Sequence, residues 1–331
     1  MISRRPGETK LGETLHTFTD DWRSDLQSTT AEYVLLGIPE DIGVRANLGV
    51  GGAHTLWEPA LKAILNIQET DILQGNRIAV LGAFDFADMM QNAAGKPVDA
   101  LRDMVAEIDD IVFPVIQQIA AAGKKPVVIG GGHNNAYPIL KGISRAREEA
   151  VNCINLDAHS DYRAIEGRHS GNGFRYARMD GYLGRYVVMG LHHNYNSQAV
   201  LNDLTGDKDI RFSFYEDLFL WEHQDFRKTM ENSIRFASGG PVGIELDLDC
   251  IANTLSSAAT PCGITPLQAR KFLITCAQLT EPVYLHFTEG SVELADGRRD
   301  PMTAKLVAYL FADFIRTAAN EHTVVIRNTQ L

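Results

Sequence analysis

Three short polar clusters each follow an apolar run and consist of residue types that bind metal ions. They occupy positions 133, 157–161 and 247–249. Side chains two residues apart point to the same face of an extended segment, so those within each cluster are expected to enter one pocket. The clusters contain two imidazoles and four carboxylates: His133, Asp157, His159, Asp161, Asp247 and Asp249.

Four carboxylates in one pocket would repel one another and would be costly to desolvate without cations between them. A pair of divalent ions removes this conflict. Imidazole and carboxylate ligands without thiolate suit Mn²⁺ better than a structural zinc site. Two ions ~3.5–4 Å apart can bridge a water molecule and lower its pKa toward neutrality, which is the chemistry of a hydrolase.

Each cluster taken alone has a simpler interpretation. The glycine-rich segment 130–132 is typical of a tight turn or a phosphate site, although it lacks the spacing of a dinucleotide-binding loop. The 157–161 cluster could be a helix cap with a surface loop, and two alternating aspartates are common. All three clusters in order, each at the end of an apolar run, favour the dimetal site over a coincidental polar edge.

The elements that position these clusters follow from hydrophobic patterning. Apolar runs separated by helical patterns predict an α/β fold of three layers, α/β/α, with a central, mostly parallel sheet. Ligands bind beyond the carboxyl ends of such strands, where the clusters lie. We expect a single domain over residues 32–331 and a loosely ordered N-terminal arm over 1–31. Strands are predicted at 33–38, 78–82, 126–129, 153–156, 186–189, 242–246 and 283–287, and helices around 108–119, with Pro114 kinking it, and 306–315.

Composition excludes several classes of protein. The 331 residues include 31 Lys and Arg against 42 Asp and Glu, a net charge of −11, which argues against binding nucleic acid or an anionic membrane surface. No secretory signal or membrane-spanning run is evident, so we expect a cytoplasmic protein. Of the four cysteines, Cys153, Cys250 and Cys276 have apolar surroundings and are interpreted as small buried hydrophobes.

With these clusters and a later Glu289, the chain resembles the ureohydrolase superfamily of arginase, agmatinase and formimidoylglutamase over about residues 33–320. The resemblance implies an arginase-like fold and a centre of two Mn²⁺ ions that hydrolyses a C–N bond of an amidine or guanidino group. It implies that His133, Asp157, Asp161 and Asp247 hold one ion, and that Asp157, His159, Asp247 and Asp249 hold the other.

The resemblance also implies roles for three further groups. Asp161 would orient a metal-bridging hydroxide, Glu289 would pair with the cationic amidine group, and His169 would shuttle a proton to the leaving amine. Without the family, His169 would be interpreted as a surface-loop histidine. Family members usually form homo-oligomers, which the sequence does not test independently.

The chain is most similar to formimidoylglutamase, because residues 39–49 and the segments around Arg163 and Phe174 resemble that enzyme. Its substrate, N-formimino-L-glutamate, carries two carboxylates, which calls for cationic side chains near the metal edge. Arg168 and Arg175 could equally be surface ion-pair partners, whereas Arg163 is the best placed. The candidate substrate-binding residues are Arg45, Asn47, Arg163, Arg168 and Arg175.

Two departures from the family concern the substrate rim and the residues beyond Asp249. Arginases and agmatinases usually continue after the second aspartate with a third Asp and a Pro, but here residues 250–252 are Cys-Ile-Ala, which agrees with formimidoylglutamases. Asn172 and Gly173 replace a usual Thr-Pro pair, and Gly-Ser-Val follows Glu289 in place of a proline-containing turn. The alternatives are another ureohydrolase that releases urea from arginine, agmatine or a guanidino acid, and a metal-binding pseudoenzyme with a regulatory role.

Overall fold

A computed structural model describes residues 2–319, and its strands form one sheet. The strands are β1 (His16–Thr17), β2 (Tyr33–Gly37), β3 (Ile78–Ala83), β4 (Lys125–Ile129), β5 (Val151–Leu156), β6 (Leu183–Leu191), β7 (Ile210–Phe214), β8 (Val242–Asp247) and β9 (Tyr284–Thr288). Their order is β1-β3-β2-β4-β9-β8-β5-β6-β7, and every pairing between them is parallel. Strands β2, β5, β8 and β9 are buried along their whole length, as expected of a sheet covered on both faces.

Helices cover both faces of the sheet. They are α1 (Leu11–Thr14), α2 (Trp22–Ser28), α3 (Ile42–Ala46), α4 (Trp57–Leu65), α5 (Ala87–Asn92), α6 (Val98–Ala121), α7 (Ala136–Arg147), α8 (Gly173–Met179), α9 (Gln198–Gly206), α10 (Tyr215–Phe219), α11 (Phe226–Ala237), α12 (Pro266–Leu279) and α13 (Met302–Ala319). The core on one face includes residues of α4, α11, α12 and α13, and the core on the other includes residues of α3, α6, α7 and α8. The predicted three-layer α/β/α fold is confirmed.

Alternation along each buried strand divides its apolar side chains between the two cores. Leu35 and Ile154 pack in the core that includes α4 and α13, whereas their neighbours Val34 and Cys153 pack in the core that includes α6 and α7. Because both faces bury apolar groups, ligands are expected at the ends of the strands, where the polar clusters lie at the carboxyl ends.

All seven predicted strands are present, but the sheet has two further strands at its edges. β1 has only two residues, and β7 carries the exposed Arg211 between its apolar positions, so neither has a strong apolar run. Pro114 lies inside α6 and does not end that helix.

The N-terminal arm predicted for residues 1–31 contacts the rest of the domain in its described part, and its loose order stays a prediction. Leu11 in α1 and Leu26 in α2 are buried, each in a different one of the two cores, and β1 extends the sheet by pairing with β3. Burial of these two apolar anchors attaches to the domain a segment whose composition is mostly polar. Residues 1 and 320–331 of the predicted units lie outside the described residues.

Two expectations about the class of protein can be compared with the structure. None of the described helices is long and apolar enough to cross a membrane. The four cysteines are unpaired, and Cys153, Cys250 and Cys276 are buried as predicted, whereas Cys262 is exposed.

Candidate metal centre

The predicted metal-binding residues follow neighbouring strands in the middle of the sheet. His133 comes after β4, Asp157 after β5, and Asp247 is the last residue of β8. Glu289 comes directly after β9, which lies between β4 and β8. The carboxyl ends of parallel strands meet at one edge, so these groups converge although they are far apart in the sequence.

Turns, rather than extended backbone, bring the paired ligands together. The Asp157 carboxylate accepts a hydrogen bond from the backbone N–H of His159 (2.7 Å), and Asp247 accepts one from the N–H of Asp249 (2.8 Å). Asp161 has a left-handed backbone with φ of 44°. The residues of each cluster thus approach one another through turns that the aspartates cap, and not through the strand alternation assumed from the sequence.

The ligand atoms form two groups. His133 Nδ1 lies 2.8 Å from Asp161 Oδ2, 3.1 Å from Asp247 Oδ2 and 3.2 Å from Asp157 Oδ2. His159 Nδ1 lies 3.2 Å from Asp249 Oδ2 and 3.7 Å from Asp157 Oδ1. Asp157 belongs to both groups, as expected for a bridging ligand. A bridging role for Asp247 stays a prediction, since it joins only the first group.

The electrostatics of the cluster call for added positive charge. Burial, followed by the charges of Asp249 and Asp157, raises the pKa of Asp247 well above its usual range. Burial and Asp157 raise the pKa of Asp161 to about 6. Although burial opposes protonation of His133, the surrounding carboxylates raise its pKa. Among the described residues no Lys or Arg forms an ion pair with these aspartates, so a divalent cation would relieve their repulsion.

The donor set fits divalent metal ions. His133 Nδ1 and Nε2 and Asp249 Oδ1 are buried, and among the described residues none of these atoms has a hydrogen-bond partner. A buried polar atom without a partner is costly, and a bound cation would satisfy His133 Nδ1 and Asp249 Oδ1. The nearby Cys250 thiol is directed to the Asp247 carbonyl oxygen, 2.9 Å away. Imidazole and carboxylate donors therefore remain, a set suited to Mn²⁺.

A pocket of about 580 Å³ opens above these ligands. His159, Asp161, Asp247 and Asp249 line it together with Glu289. The ligand side chains are buried or partly buried at its base, and solvent reaches them through this opening. A small organic molecule entering the pocket would thus meet the metal site directly.

Glu289 stands beside the candidate ligands, and its pairing with an amidine group stays a prediction. It lines the pocket, and its Oε1 accepts a hydrogen bond from the backbone N–H of His133 at 2.9 Å. Its backbone has φ of 62°, a strained conformation for a residue other than glycine. Burial raises its pKa to about 8 in the absence of cations. The tertiary structure thus holds a carboxylate at the pocket wall beside the candidate ligand loop.

His169 is buried beside the loop that carries Arg163 and Glu166. Its side chain is fully buried, its Nδ1 accepts from the N–H of Gly171 at 3.1 Å, and its Nε2 lies 3.1 Å from Glu166 Oε1. Burial and the charge of Arg163 lower its pKa to about 4. His169 is absent from the pocket wall formed by the described residues. The shuttle role of His169 stays a prediction.

Arg163 and Asn47 lie together at the rim of the pocket. The Arg163 side chain is 52% exposed, and its Nη1 donates to Asn47 Oδ1 at 2.8 Å. Its Nη2 lies 3.2 Å from Glu166 Oε1. Both predicted residues line the pocket, and the guanidinium is held by partners at the surface rather than buried among them.

The other three arginines have protein partners. Arg45 is absent from the pocket wall formed by the described residues and donates to the Ala93 carbonyl oxygen at 2.6 Å. Arg168 is buried and also away from that wall, and the substrate contacts of Arg45 and Arg168 stay predictions. Arg175 does line the pocket, with its guanidinium bonded to Asp203 and to the Tyr162 carbonyl oxygen.

The sequence-based prediction missed a set of buried polar residues beneath the ligands. Asn155, Glu245 and His286 are fully buried in β5, β8 and β9, and Glu245 is in register with both of the others. The signal that could have identified them is a polar residue inside an apolar strand. Asn155 and Glu245 each stand two positions before a candidate ligand.

Comparison with known proteins bears on this site. The model of the Arginase family matches residues 31–316. A formimidoylglutamase of Streptococcus pyogenes serotype M3 is 26% identical over 246 residues, which cover 72% of this chain and 68% of that protein.

Two solved structures with the same fold are of a formimidoylglutamase and a formiminoglutamase. The crystal structure of formimidoylglutamase from Bacillus subtilis superposes with a TM-score of 0.76 at 14% identity, covering 95% of this chain and 93% of that one. The structure of Trypanosoma cruzi formiminoglutamase with Mn²⁺ superposes with a TM-score of 0.72 at 18% identity, covering 95% of this chain and 99% of that one. At these identities the likeness establishes the fold.

Proposed function

Because this chain belongs to the arginase family, we propose that it hydrolyses N-formimino-L-glutamate to L-glutamate and formamide, with two manganese ions as cofactors. The observation that carries the proposal is the convergence of six ligand side chains at the base of one pocket, which Glu289 lines and which has Arg163 at its rim. The similarity to a streptococcal formimidoylglutamase supports the choice of substrate.

The residues that would hold the ions are His133, Asp157, His159, Asp161, Asp247 and Asp249. Divalent ions bound there would supply Lewis-acid polarisation of the formimino group and would lower the pKa of water toward neutrality. The turns that Asp157 and Asp247 cap keep these ligands in place in the protein itself. The protein therefore provides a preorganised donor set rather than one assembled by the substrate.

Glu289 would orient the amidine group of the substrate. The backbone N–H of His133 holds its Oε1, and no described residue donates a hydrogen bond to its Oε2. A carboxylate at this wall can accept charge-assisted hydrogen bonds from a planar amidinium. The carbon to be attacked would then face the ligand groups on the same pocket wall.

Arg163 would bind a carboxylate of the substrate tail. It stands at the rim, above the buried ligands, and its guanidinium can donate two parallel hydrogen bonds to a carboxylate. Agmatine carries no carboxylate, so this placement favours an acidic substrate. Asn47, bonded to the same guanidinium, keeps the side chain over the pocket.

We expect Arg163→Ala to raise KM for N-formimino-L-glutamate by about 10-fold with little change in kcat. A hydrogen bond to a charged group contributes about 1.5–3 kcal/mol, and the bond between Arg163 and the substrate carboxylate would be weakened because the Arg163 side chain is partly exposed. Steady-state kinetics measures both constants. Arg227→Ala, which changes an arginine exposed on α11, is the matched control. An unchanged KM in Arg163→Ala would remove this residue from the substrate site.

The substrate is tested by supplying Mn²⁺-loaded protein with N-formimino-L-glutamate, arginine, agmatine and guanidinobutyrate in parallel reactions. We expect glutamate and formamide from the first compound and no urea from the others. Urea from any of the other three compounds would be consistent with the metal centre. It would overturn the choice of N-formimino-L-glutamate as substrate, which rests on residues 39–49 and Arg163. No product from any of them, in protein that holds two metal ions, would favour the pseudoenzyme.

Three further properties accompany this proposal. The reaction would belong to histidine degradation, the enzyme would act in the cytoplasm, and the chain would form a homo-oligomer. The first follows from the proposed substrate, the second from the four unpaired cysteines, which suit a reducing compartment, and the third from the oligomers that family members usually form.

A further inference from the structure

Beneath the candidate metal ligands lies a row of buried polar side chains. Asn155, Glu245 and His286 are fully buried and occupy neighbouring strands, with Glu245 in register between the other two. Asn155 Nδ2 donates to Asp157 Oδ2 at 3.0 Å, so this row contacts the ligands directly. Polar groups in a sheet interior are costly unless they are paired, which makes their partners informative.

Glu245 is the centre of this row. Its Oε1 accepts a hydrogen bond from the Tyr284 hydroxyl at 2.8 Å, and its Oε2 lies 2.7 Å from His286 Nδ1. The same Oε2 is 3.4 Å from Nε2 of His133, the candidate ligand. The carboxylate is thus held by two groups and faces a third.

His286 joins Glu245 to the loop that carries His133. Its Nδ1 faces the Glu245 carboxylate, and its Nε2 lies 3.3 Å from the carbonyl oxygen of Gly130. The end of the same strand also holds that loop, because the Thr288 hydroxyl donates to the Gly131 carbonyl oxygen at 2.9 Å. The position of Glu245 is therefore fixed relative to the His133 backbone.

The two nitrogens of His133 face different surroundings. Nδ1 lies among the carboxylates of Asp157, Asp161 and Asp247, whereas Nε2 lies next to Glu245. A neutral imidazole carries one proton, so it can bind a metal ion through Nδ1 only if the proton is on Nε2. A carboxylate, which accepts hydrogen bonds, favours a proton on the nitrogen that faces it.

We propose that Glu245, held by His286 and Tyr284, is a positioning residue that keeps the proton of His133 on Nε2 and so presents Nδ1 to the metal ion. This inference rests on the metal centre of the proposed function. A carboxylate that orients a histidine ligand raises its basicity and fixes its ring, and loss of such a partner typically weakens metal binding about 10- to 100-fold.

The test is the Mn²⁺ affinity of Glu245→Gln, measured from the electron paramagnetic resonance signal of free Mn²⁺. One oxygen becomes an NH₂ group in this variant, so the side chain can no longer present acceptor oxygens to Tyr284 and His286 and also face His133 Nε2 with a carboxylate oxygen. We expect the tighter Kd to rise about 10- to 100-fold. Glu32→Gln, which changes a carboxylate paired with Arg77 and Lys125 elsewhere in the fold, is expected to leave it unchanged.

Wild-type affinity in a folded Glu245→Gln variant would overturn the positioning role while leaving the proposed function intact. Failure of the wild-type protein itself to bind Mn²⁺ would overturn the metal centre and the positioning role together. The two failures are therefore distinguishable.

A second measurement observes His133 in the unaltered protein, and a variant serves only to assign its signals. In ¹⁵N-histidine-labelled protein loaded with ¹¹³Cd²⁺, we expect His133 Nδ1 to show coupling to cadmium and Nε2 to carry the proton. The His133 signals are identified by their loss in His133→Asn. Coupling to cadmium through Nε2 instead would overturn the proposal.

Discussion

Asp247→Ala is expected to reduce turnover by at least about 1,000-fold and to lower the bound metal below one ion per chain, because residues that act as one catalytic unit fail together. Asp247 is almost fully buried, and its Oδ2 lies 3.1 Å from His133 Nδ1. It also caps the turn that carries Asp249, a member of the second ligand group. One substitution thus removes a ligand and releases another. Metal content is measured by mass spectrometry after gel filtration, and turnover by release of glutamate.

The matched control for this variant is Asp296→Ala. Asp296 is exposed in a turn and contacts Arg298, far from the ligand groups in the sequence and outside the pocket wall. It should retain normal metal content and normal turnover. Two bound ions and wild-type turnover in Asp247→Ala would contradict the dimetal site.

Arg168→Met is expected to lower the free energy of unfolding by about 3–5 kcal/mol, because it leaves a buried carboxylate without its partner. Arg168 donates to both oxygens of Asp109, at 2.8 and 3.2 Å, and also to the Asn134 carbonyl oxygen and the Asn172 side chain. It therefore ties α6 to the loop after β4 and to the segment before α8. Urea unfolding of the metal-free protein measures the loss.

The loss should depend on pH. Burial raises the pKa of Asp109 to about 6 even with Arg168 beside it, and removal of Arg168 should raise it further. When the pKa of a carboxyl group is higher in the folded than in the unfolded protein, the free energy of unfolding falls as the pH rises between these two pKa values. It stops falling once the pH exceeds the pKa in the folded protein. The wild-type protein stops losing this stability above about pH 6. In Arg168→Met the free energy of unfolding continues to fall above this pH. The difference in stability between the wild-type protein and the variant should therefore be larger at pH 8 than at pH 5.5.

The double variant Arg168→Met with Asp109→Leu serves as the control. It removes both charges, so it should recover much of the stability, since an apolar pair can replace a buried ion pair. A raised KM in a fully stable Arg168→Met variant would contradict the structural role and return Arg168 to the substrate site.

The sequence by itself determined the type of fold and the candidate metal ligands. Continuous apolar runs are dictated by burial on both faces of a parallel sheet, so they identify the central strands without knowledge of their neighbours. The residues that follow those strands must meet at one edge, which is why His133, Asp157 and Asp247 could be grouped in advance. Glu289 followed from the family resemblance.

Only the tertiary structure decided what the other polar residues contact. Arg163 and Arg168 are both arginines near the ligand segment, yet one lies at the pocket rim and the other is buried against Asp109. His169 likewise belongs to a loop motif, but its ring is buried beside Glu166. The local sequence does not determine whether such a side chain lies at the pocket or is buried, because its partner comes from a distant segment.

The same reason explains why the positioning role of Glu245 was not anticipated. In sequence it is one charged residue within an apolar strand, and its meaning depends on His286 in the adjacent strand and on His133 above it. The residue types at the ends of the strands indicated a metal site, since that chemistry depends on which donors are present. How those donors are oriented and paired depends on strand order and register, and these are set by the packing of the whole domain.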